Sequence, residues 1–292
     1  MLAAFLAIAI ARAFRAESAR RANAAYAARH VMRADGIAEG AESFTLRHAG
    51  APALLLLHGS GDTPQTLRYL GGRLHAAGYT VHAPLLPGHG RSPEAFSRVE
   101  ASQYAGAAEE AMDLLRREAS WIGVVGLSMG GAIAARLAAE ASDVRALVLL
   151  APYVEPPAMV RWAARLSHAW GLVLPFVDGR GARSVRDPAA GAESRAYGVF
   201  SPRALRALVA TADAGQRALP RVTVDTLVVN SREDIRIPLA IAERATARLG
   251  GRTERHWVTG CGHVITVDYC RDEVVALVLA FLKARAPLAA RA

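Results

Sequence analysis

Trp121–Glu140 reads WIGVVGLSMGGAIAARLAAE: an apolar run, the tight turn Gly126-Leu127-Ser128-Met129-Gly130, and a second apolar stretch of helical spacing. The run predicts a buried strand over 121–127, and the stretch after it a helix over 129–140. G-x-S-x-G placed between a strand and a helix is the context in which that motif carries chemistry. A serine on so tight a turn is held in strained backbone geometry, with its hydroxyl projecting above the sheet. Glycines two residues to either side remove the Cβ atoms that would clash there. The helix behind it offers free N–H groups and a positive dipole end to developing negative charge. Ser128 is therefore the candidate nucleophile.

Outward from this turn, short apolar runs alternate with helical patterns, the signature of βαβ units and a mainly parallel sheet. Strands are predicted at 54–57, 79–83, 121–127, 144–150, 226–229 and 255–259, and helices at 65–77, 103–118, 129–140, 238–249 and 272–285. The rhythm breaks over 152–220, which holds two Trp, several Pro and Gly, and two helical patterns at 158–170 and 202–216. An interruption of that length inside a compact domain is usually functional. The expected organisation is an N-terminal Ala/Arg-rich helical extension over 1–40 and an α/β core formed by 41–151 with 221–286. A small helical cap over 152–220 is inserted after the strand ending near Leu150.

A neutral serine hydroxyl needs an adjacent base. His263, in GCGHVITVD between the last strand and the final helix, is the candidate. His58 and His89 lie in loops beside the proposed site but precede the nucleophile, and the other histidines fall in elements or in the insert. The base needs a carboxylate to fix its tautomer. Asp234 follows the strand at 226–229 in VVNSREDIRIP, with Glu233 its rival and Asp225 and Asp268 weaker ones. The chain order Ser128, Asp234, His263 is that of α/β-hydrolases rather than of chymotrypsin or subtilisin. Backbone N–H groups should receive the oxyanion. One is expected from Met129, after the nucleophile, and one from Ser60 in the His58-Gly59-Ser60-Gly61 loop. The Pro87-Gly88-His89-Gly90 loop reads as scaffold.

Taken together, LLLLHG, LPGHGRS, GLSMGG, SREDIRIP and GCGHVITVD resemble the α/β-hydrolase superfamily, and within it bacterial carboxylesterases and monoacylglycerol lipases. The similarity spans roughly residues 50–285. It implies a mostly parallel central sheet flanked by helices, Ser128, His263 and Asp234 as triad, and Ser60 and Met129 as oxyanion donors. It further implies hydrolysis of short- to medium-chain esters or monoacylglycerols through an acyl-enzyme, without cofactor or metal. Ser60 departs from the large apolar residue these esterases often carry after His-Gly. Trp162, Leu166, Trp170, Leu174 and Phe176, with Leu172 and Val173, read either as the wall of an acyl pocket or as the cap's own small core. Arg161, Arg165, Arg180 and Arg183 read as solvated surface. Fold alone does not settle chemistry: a thioesterase, perhydrolase, amidase or carbon–carbon hydrolase would use the same triad, and a silent membrane-tethered scaffold is the non-enzymatic alternative. Ser at position 128 disfavours epoxide hydrolase and dehalogenase chemistry, whose nucleophile is Asp.

Composition adds exclusions. The 292 residues are 52% hydrophobic, enough for a sizeable core, and 63 of them are Ala. The basic side chains are 34 Arg and one Lys, Lys283, a bias that follows GC-rich coding and empties the basic pI of functional content. Residues 1–33 hold Arg12, Arg15, Arg20, Arg21, Arg29 and Arg33 against Glu17 alone, so they carry +5 of the net +9. No basic cluster is interleaved with aromatics, which argues against nucleic acid. The uncharged run Met1–Ala11 spans about 16 Å as a helix, half a hydrocarbon core, too short to cross a membrane. A secretory signal would carry its basic residues ahead of that run. The expected location is cytoplasmic. Residues 1–33 read either as a peripheral membrane anchor or as an Ala-rich helix packed on the domain. Cys261 and Cys270 cannot make a disulfide framework. Cys261 reads as a small buried residue, although an offset of nine residues leaves a bridge open.

Overall fold

The computed structural model describes residues 2–179 and 184–286, so Arg180 and Arg183 lie outside the described residues. In chain order the elements are α1 (Leu2–Ala27), β1 (Phe44–Leu46), β2 (Ala53–Leu57), α2 (Arg68–Ala76), β3 (Thr80–Ala83), α3 (Pro93–Phe96), α4 (Ala101–Arg116), β4 (Ile122–Leu127), α5 (Met129–Glu140) and β5 (Val144–Leu150). They continue with α6 (Ala158–Arg165), α7 (Ser167–Trp170), β6 (Val177–Asp178), α8 (Pro188–Glu193), β7 (Val199–Phe200), α9 (Pro202–Ala218), β8 (Thr226–Ser231), α10 (Leu239–Thr246), β9 (Thr253–Val258) and α11 (Arg271–Lys283).

Seven strands form one sheet in the order β1-β3-β2-β4-β5-β8-β9, parallel throughout except for β1, which pairs antiparallel with β3 at the edge. β2, β4 and β8 are buried at every position because helices cover both faces, which is why they read as unbroken apolar runs. β9, at the other edge, is only partly buried. One face packs on α2 and α11 through Leu70, Leu74, Val274, Val278 and Phe281. The other packs on α4, α5, α9 and α10 through Met112, Leu115, Ile133, Leu208 and Ala242.

Residues 152–220 hold α6 to α9 and two strands of two residues each, β6 and β7, that pair antiparallel. The single helix read over 158–170 breaks at Leu166 into α6 and α7. Within this stretch α9 packs along α5 so closely that a Cβ on Gly215 would lie 2.7 Å from Ala132 Cα. Its Ala207, Leu208 and Ala212 thereby join the main core. In α1 the two ends differ. Tyr26 is buried near its C-terminus, whereas Phe5, Leu6, Ile10 and Phe14 are exposed. Among the described residues no helix is long and apolar enough to cross a membrane.

The chain leaves β2 toward β3 on one side and leaves β4 toward β5 on the other, so the loops leaving the carboxyl ends of β2 and β4 diverge at the crevice where α/β sheets bind ligands. The loop after β2 begins at His58, and the residue that ends β4 is followed by Ser128.

Candidate active site

Ser128 stands between β4 and α5 at φ 54°, ψ −117°. Among the described residues, only it and Ala151 are non-glycine residues in the left-handed region. The strain is held in place by three bonds: Ser128 N–H donates to Leu150 O, and Ser128 O accepts from Gly131 N and Tyr153 N, each 2.9 Å. A Cβ on Gly126 would lie 2.3 Å from Gly130 O, and one on Gly130 would lie 2.0 Å from Leu57 O. The turn therefore closes only with glycine at both positions.

The structure brings Ser128, His263 and Asp234 together. His263 Nε2 lies 2.7 Å from Ser128 Oγ, and His263 Nδ1 lies 2.7 Å from Asp234 Oδ2. Asp234 Oδ1 accepts from Arg236 N (2.7 Å) and Ile237 N (3.0 Å). Burial alone would push its carboxyl up, but the charge and hydrogen bond of His263, with the Ile237 and Arg236 amides, outweigh that and hold it below the usual range. A carboxylate bonded to Nδ1 fixes the tautomer with the proton on that nitrogen, leaving Nε2 to accept from the serine.

The rival carboxylates have other partners. Glu233 accepts from Ser231 Oγ (3.2 Å) and Asp225 from Arg285 (2.9 Å). Asp268 collects four backbone amides: Gly262 (2.7 Å), Arg186 (2.8 Å), Asp187 (2.9 Å) and Tyr269 (2.9 Å). It therefore ties the loop carrying His263 to residues 186–187. A covalent tie adds to this, because Cys261 and Cys270 are joined in a disulfide that closes a loop around His263. Cys261 is buried as expected, but as half of a bridge.

The Ser60 loop is fixed by two histidines that sequence reasoning set aside. A Cβ on Gly59 would lie 3.3 Å from Ser128 Cβ, so this backbone runs against the nucleophile. His58 Nδ1 donates to Gly59 O (2.9 Å), and its Nε2 accepts from Leu86 N (3.0 Å). Gly59 O and Ser60 N–H belong to one trans peptide and point in opposite directions, so the bond to His58 turns the Ser60 N–H away from that ring. On the far side of Ser60, Gly61 N donates to His89 Nε2 (3.0 Å), whose Nδ1 bonds Pro87 O (3.0 Å). Both rings must be neutral to accept. Burial secures this, pushing His58 well below its ordinary value and His89 down to about 4. Among the described residues neither the Ser60 nor the Met129 amide has an acceptor within the protein, which suits both to a ligand oxygen.

Asp62, also overlooked in the sequence, is buried in the same loop. Its Oδ1 accepts from Thr63 N (2.9 Å), and burial raises its carboxyl to about 6. Of the apolar residues read from the insert, Trp162, Leu166 and Leu174 are exposed, and Trp170 and Phe176 are partly buried. Trp170 Nε1 donates to Ala163 O (2.8 Å).

Residues 50–269 match the Hydrolase_4 family, described as serine aminopeptidase, S33. Over 247 residues the chain is 29% identical to the thermostable monoacylglycerol lipase of Bacillus sp. (strain H-257), covering 84% of this chain and 95% of that one. It is 27% identical over 242 residues to the carboxylesterase of Bacillus subtilis (strain 168), covering 82% and 95%. A solved structure reported for LipS and LipT, two metagenome-derived lipolytic enzymes, superposes with a TM-score of 0.78 at 25% identity, covering 85% of this chain and 100% of that one.

Proposed function

The chain belongs to the Hydrolase_4 family and has the α/β-hydrolase fold, and on that premise we propose that it hydrolyses carboxylic esters through a Ser128–His263–Asp234 triad and an acyl-enzyme. The observation that carries this reading is the pair of 2.7 Å bonds through which His263 bridges Ser128 Oγ and Asp234. Ser128 Oγ bonds to the ester carbonyl carbon as its proton passes to His263 Nε2. The Ser60 and Met129 amides receive the oxyanion. Collapse of the tetrahedral intermediate breaks the bond to the alcohol, which departs with the proton from His263. Water then attacks the acyl-enzyme, giving its proton to His263, and the carboxylic acid leaves as Ser128 is reprotonated. Asp234 stays ionised and steadies the imidazolium.

The substrates proposed are short- to medium-chain acyl esters and monoacylglycerols, the latter being the class in the name of the similar lipase. Residues 152–220 act as the cap over the core of 41–151 and 221–286, seated by α9 on α5. Trp162, Leu166, Trp170, Leu174 and Phe176 line the acyl path. Such substrates partition into lipid. Phe5, Leu6, Ile10 and Phe14 of α1 are exposed, and Arg15, one residue after Phe14, bonds the carbonyl of Gly171, which leads into the exposed Leu172–Leu174 stretch. These exposed apolar side chains, with Arg12, Arg15, Arg20 and Arg21 along α1, fit peripheral contact with an anionic lipid surface.

The test is a p-nitrophenyl ester series from acetyl to palmitoyl, with monoacylglycerols, a thioester and an aminoacyl anilide, comparing wild type with Ser128→Ala. Turnover of an ester that Ser128→Ala abolishes supports the reading. Turnover of the thioester or anilide alone moves the chemistry to that class. Inactivity on all of them, with Ser128 still labelled by a fluorophosphonate, overturns the substrate class and leaves the triad standing.

A further inference from the structure

Ser60 lies between two glycines, and Gly61 sits at φ 71°. A Gly-Ser-Gly segment has little side-chain packing of its own and much backbone freedom to lose, so its direction has to be imposed from outside. His58 imposes it on the Gly59 carbonyl and His89 on the Gly61 N–H. The Gly61 carbonyl is held by another part of the chain, since it accepts from Tyr197 N (3.2 Å). Tyr197 is itself anchored at several points. Its hydroxyl donates to Gly88 O (2.7 Å) and accepts from Arg91 N (3.2 Å), and its ring centroid lies 4.9 Å from that of Phe96.

The remaining anchors come from the N-terminal segment, which precedes the region matched by the family. The Tyr26 ring lies 4.9 Å from the Tyr197 ring and is 1% exposed. Its hydroxyl donates to Arg195 O (3.2 Å), and Arg29 Nη2 donates to Tyr197 O (2.8 Å). One turn earlier, Asn23 and Glu94 exchange two bonds of 3.1 Å, fastening α1 to the start of α3. These contacts run without a gap from α1 through Tyr197 to the carbonyl of Gly61, the residue that follows Ser60.

We propose that the C-terminal end of α1 is a positioning element for the oxyanion donor: Tyr26 and Arg29 hold Tyr197, Tyr197 holds the Gly61 carbonyl, and the Ser60 N–H is thereby aimed. The inference rests on the reading of Ser60 as an oxyanion donor. Tyr26 and Arg29 act through Tyr197 and touch no substrate. The N-terminal segment is on this account part of the working enzyme.

The experiment compares wild type with Tyr26→Ala, Tyr26→Phe and Arg29→Ala, the last removing an exposed side chain that the core does not need. Three quantities are read, each per serine titrated to end point with a fluorophosphonate: the second-order rate of Ser128 phosphonylation, kcat and KM on the best ester, and the Ki of a trifluoromethyl ketone. Misaiming one donor is expected to slow phosphonylation and kcat by about tenfold in Tyr26→Ala and about threefold in Arg29→Ala, with KM within about twofold. The ketone Ki should rise in step with the loss of kcat/KM. Tyr26→Phe keeps the ring contact and should restore the rate to within about twofold of wild type. A Tyr26→Ala enzyme that is less heat-stable but reacts at the wild-type rate per titrated serine would overturn the proposal and leave Tyr26 a packing residue. If wild type is phosphonylated but cleaves no ester, the ester reading falls while the phosphonylation rates still decide this one. If wild type is not phosphonylated at all, both fall.

Discussion

Ser128 carries a backbone conformation that costs on the order of 1–3 kcal/mol, and its neighbours exist to make that conformation closable. Gly130→Ala places a methyl 2.0 Å from Leu57 O. It is expected to destabilise the fold by about 3 kcal/mol or more, read as a fall in the urea midpoint, because neither backbone can give way. Ser128→Ala should leave the midpoint nearly unchanged while lowering kcat by about a thousandfold or more. Asp62 supplies a pH signature. Its folded value of about 6 lies above the ordinary 3.8, so the folded state takes up a proton. That contribution is present in full below about pH 4 and lost as pH rises through about 6. Asp62→Asn should therefore be more stable than wild type at pH 8 by about 2–3 kcal/mol, with the gain vanishing near pH 4. Equal urea midpoints at pH 8 would refute it. Ser128, Asp234 and His263 were legible as candidates because the chemistry restricts residue type and the strand-turn-helix context restricts place. Asp62, His58 and His89 were not legible as a set, because burial and the partner of each ring nitrogen are properties of the folded loop.

At the scale of elements, the loop between β9 and α11 is held by a disulfide and by the four amides on Asp268, both enclosing His263. Cross-linking residues nine apart in sequence restricts the unfolded chain by about 2–3 kcal/mol. Cys261→Ser/Cys270→Ser should lose roughly that much stability in a urea titration, and kcat should fall as the loop carrying His263 loosens. An unchanged midpoint would mean that Asp268 alone fixes the loop. Elements with long patterns, such as α5 at 129–140 and β5 at 144–150, stand where their spacing placed them. β1, β6 and β7 span two or three residues, too few for any period to register. They exist only because a partner strand accepts their bonds. The break between α6 and α7 is likewise a tertiary matter, since Ser167 Oγ donates to Ala164 O (2.6 Å) and is met by Arg206 of α9 (2.7 Å).

Across the whole molecule, α1 runs from an N-terminal half with exposed Phe5, Leu6, Ile10 and Phe14 to the ring cluster around Tyr197. If the apolar end meets anionic lipid, wild type should sediment with vesicles containing phosphatidylglycerol and release as salt rises from about 50 to 500 mM, each basic side chain at the surface contributing on the order of 1 kcal/mol. Leu6→Glu/Ile10→Glu/Phe14→Glu should abolish sedimentation while hydrolysis of a water-soluble ester persists, since these side chains are exposed. Sedimentation that survives the triple change removes α1 from the contact. The sequence by itself determined the parallel α/β architecture and the three residues proposed as triad. Buried parallel strands must be continuous apolar runs, and acyl-transfer chemistry admits few residue types at the ends of those strands. Only the tertiary structure decided which carboxylate meets His263, that Cys261 and Cys270 join, that α9 packs into the core, and that Tyr26 packs on Tyr197, whose amide meets Gly61. Each of these depends on the distance between residues far apart in the chain, and that distance is set by the packing of the whole rather than by any local pattern.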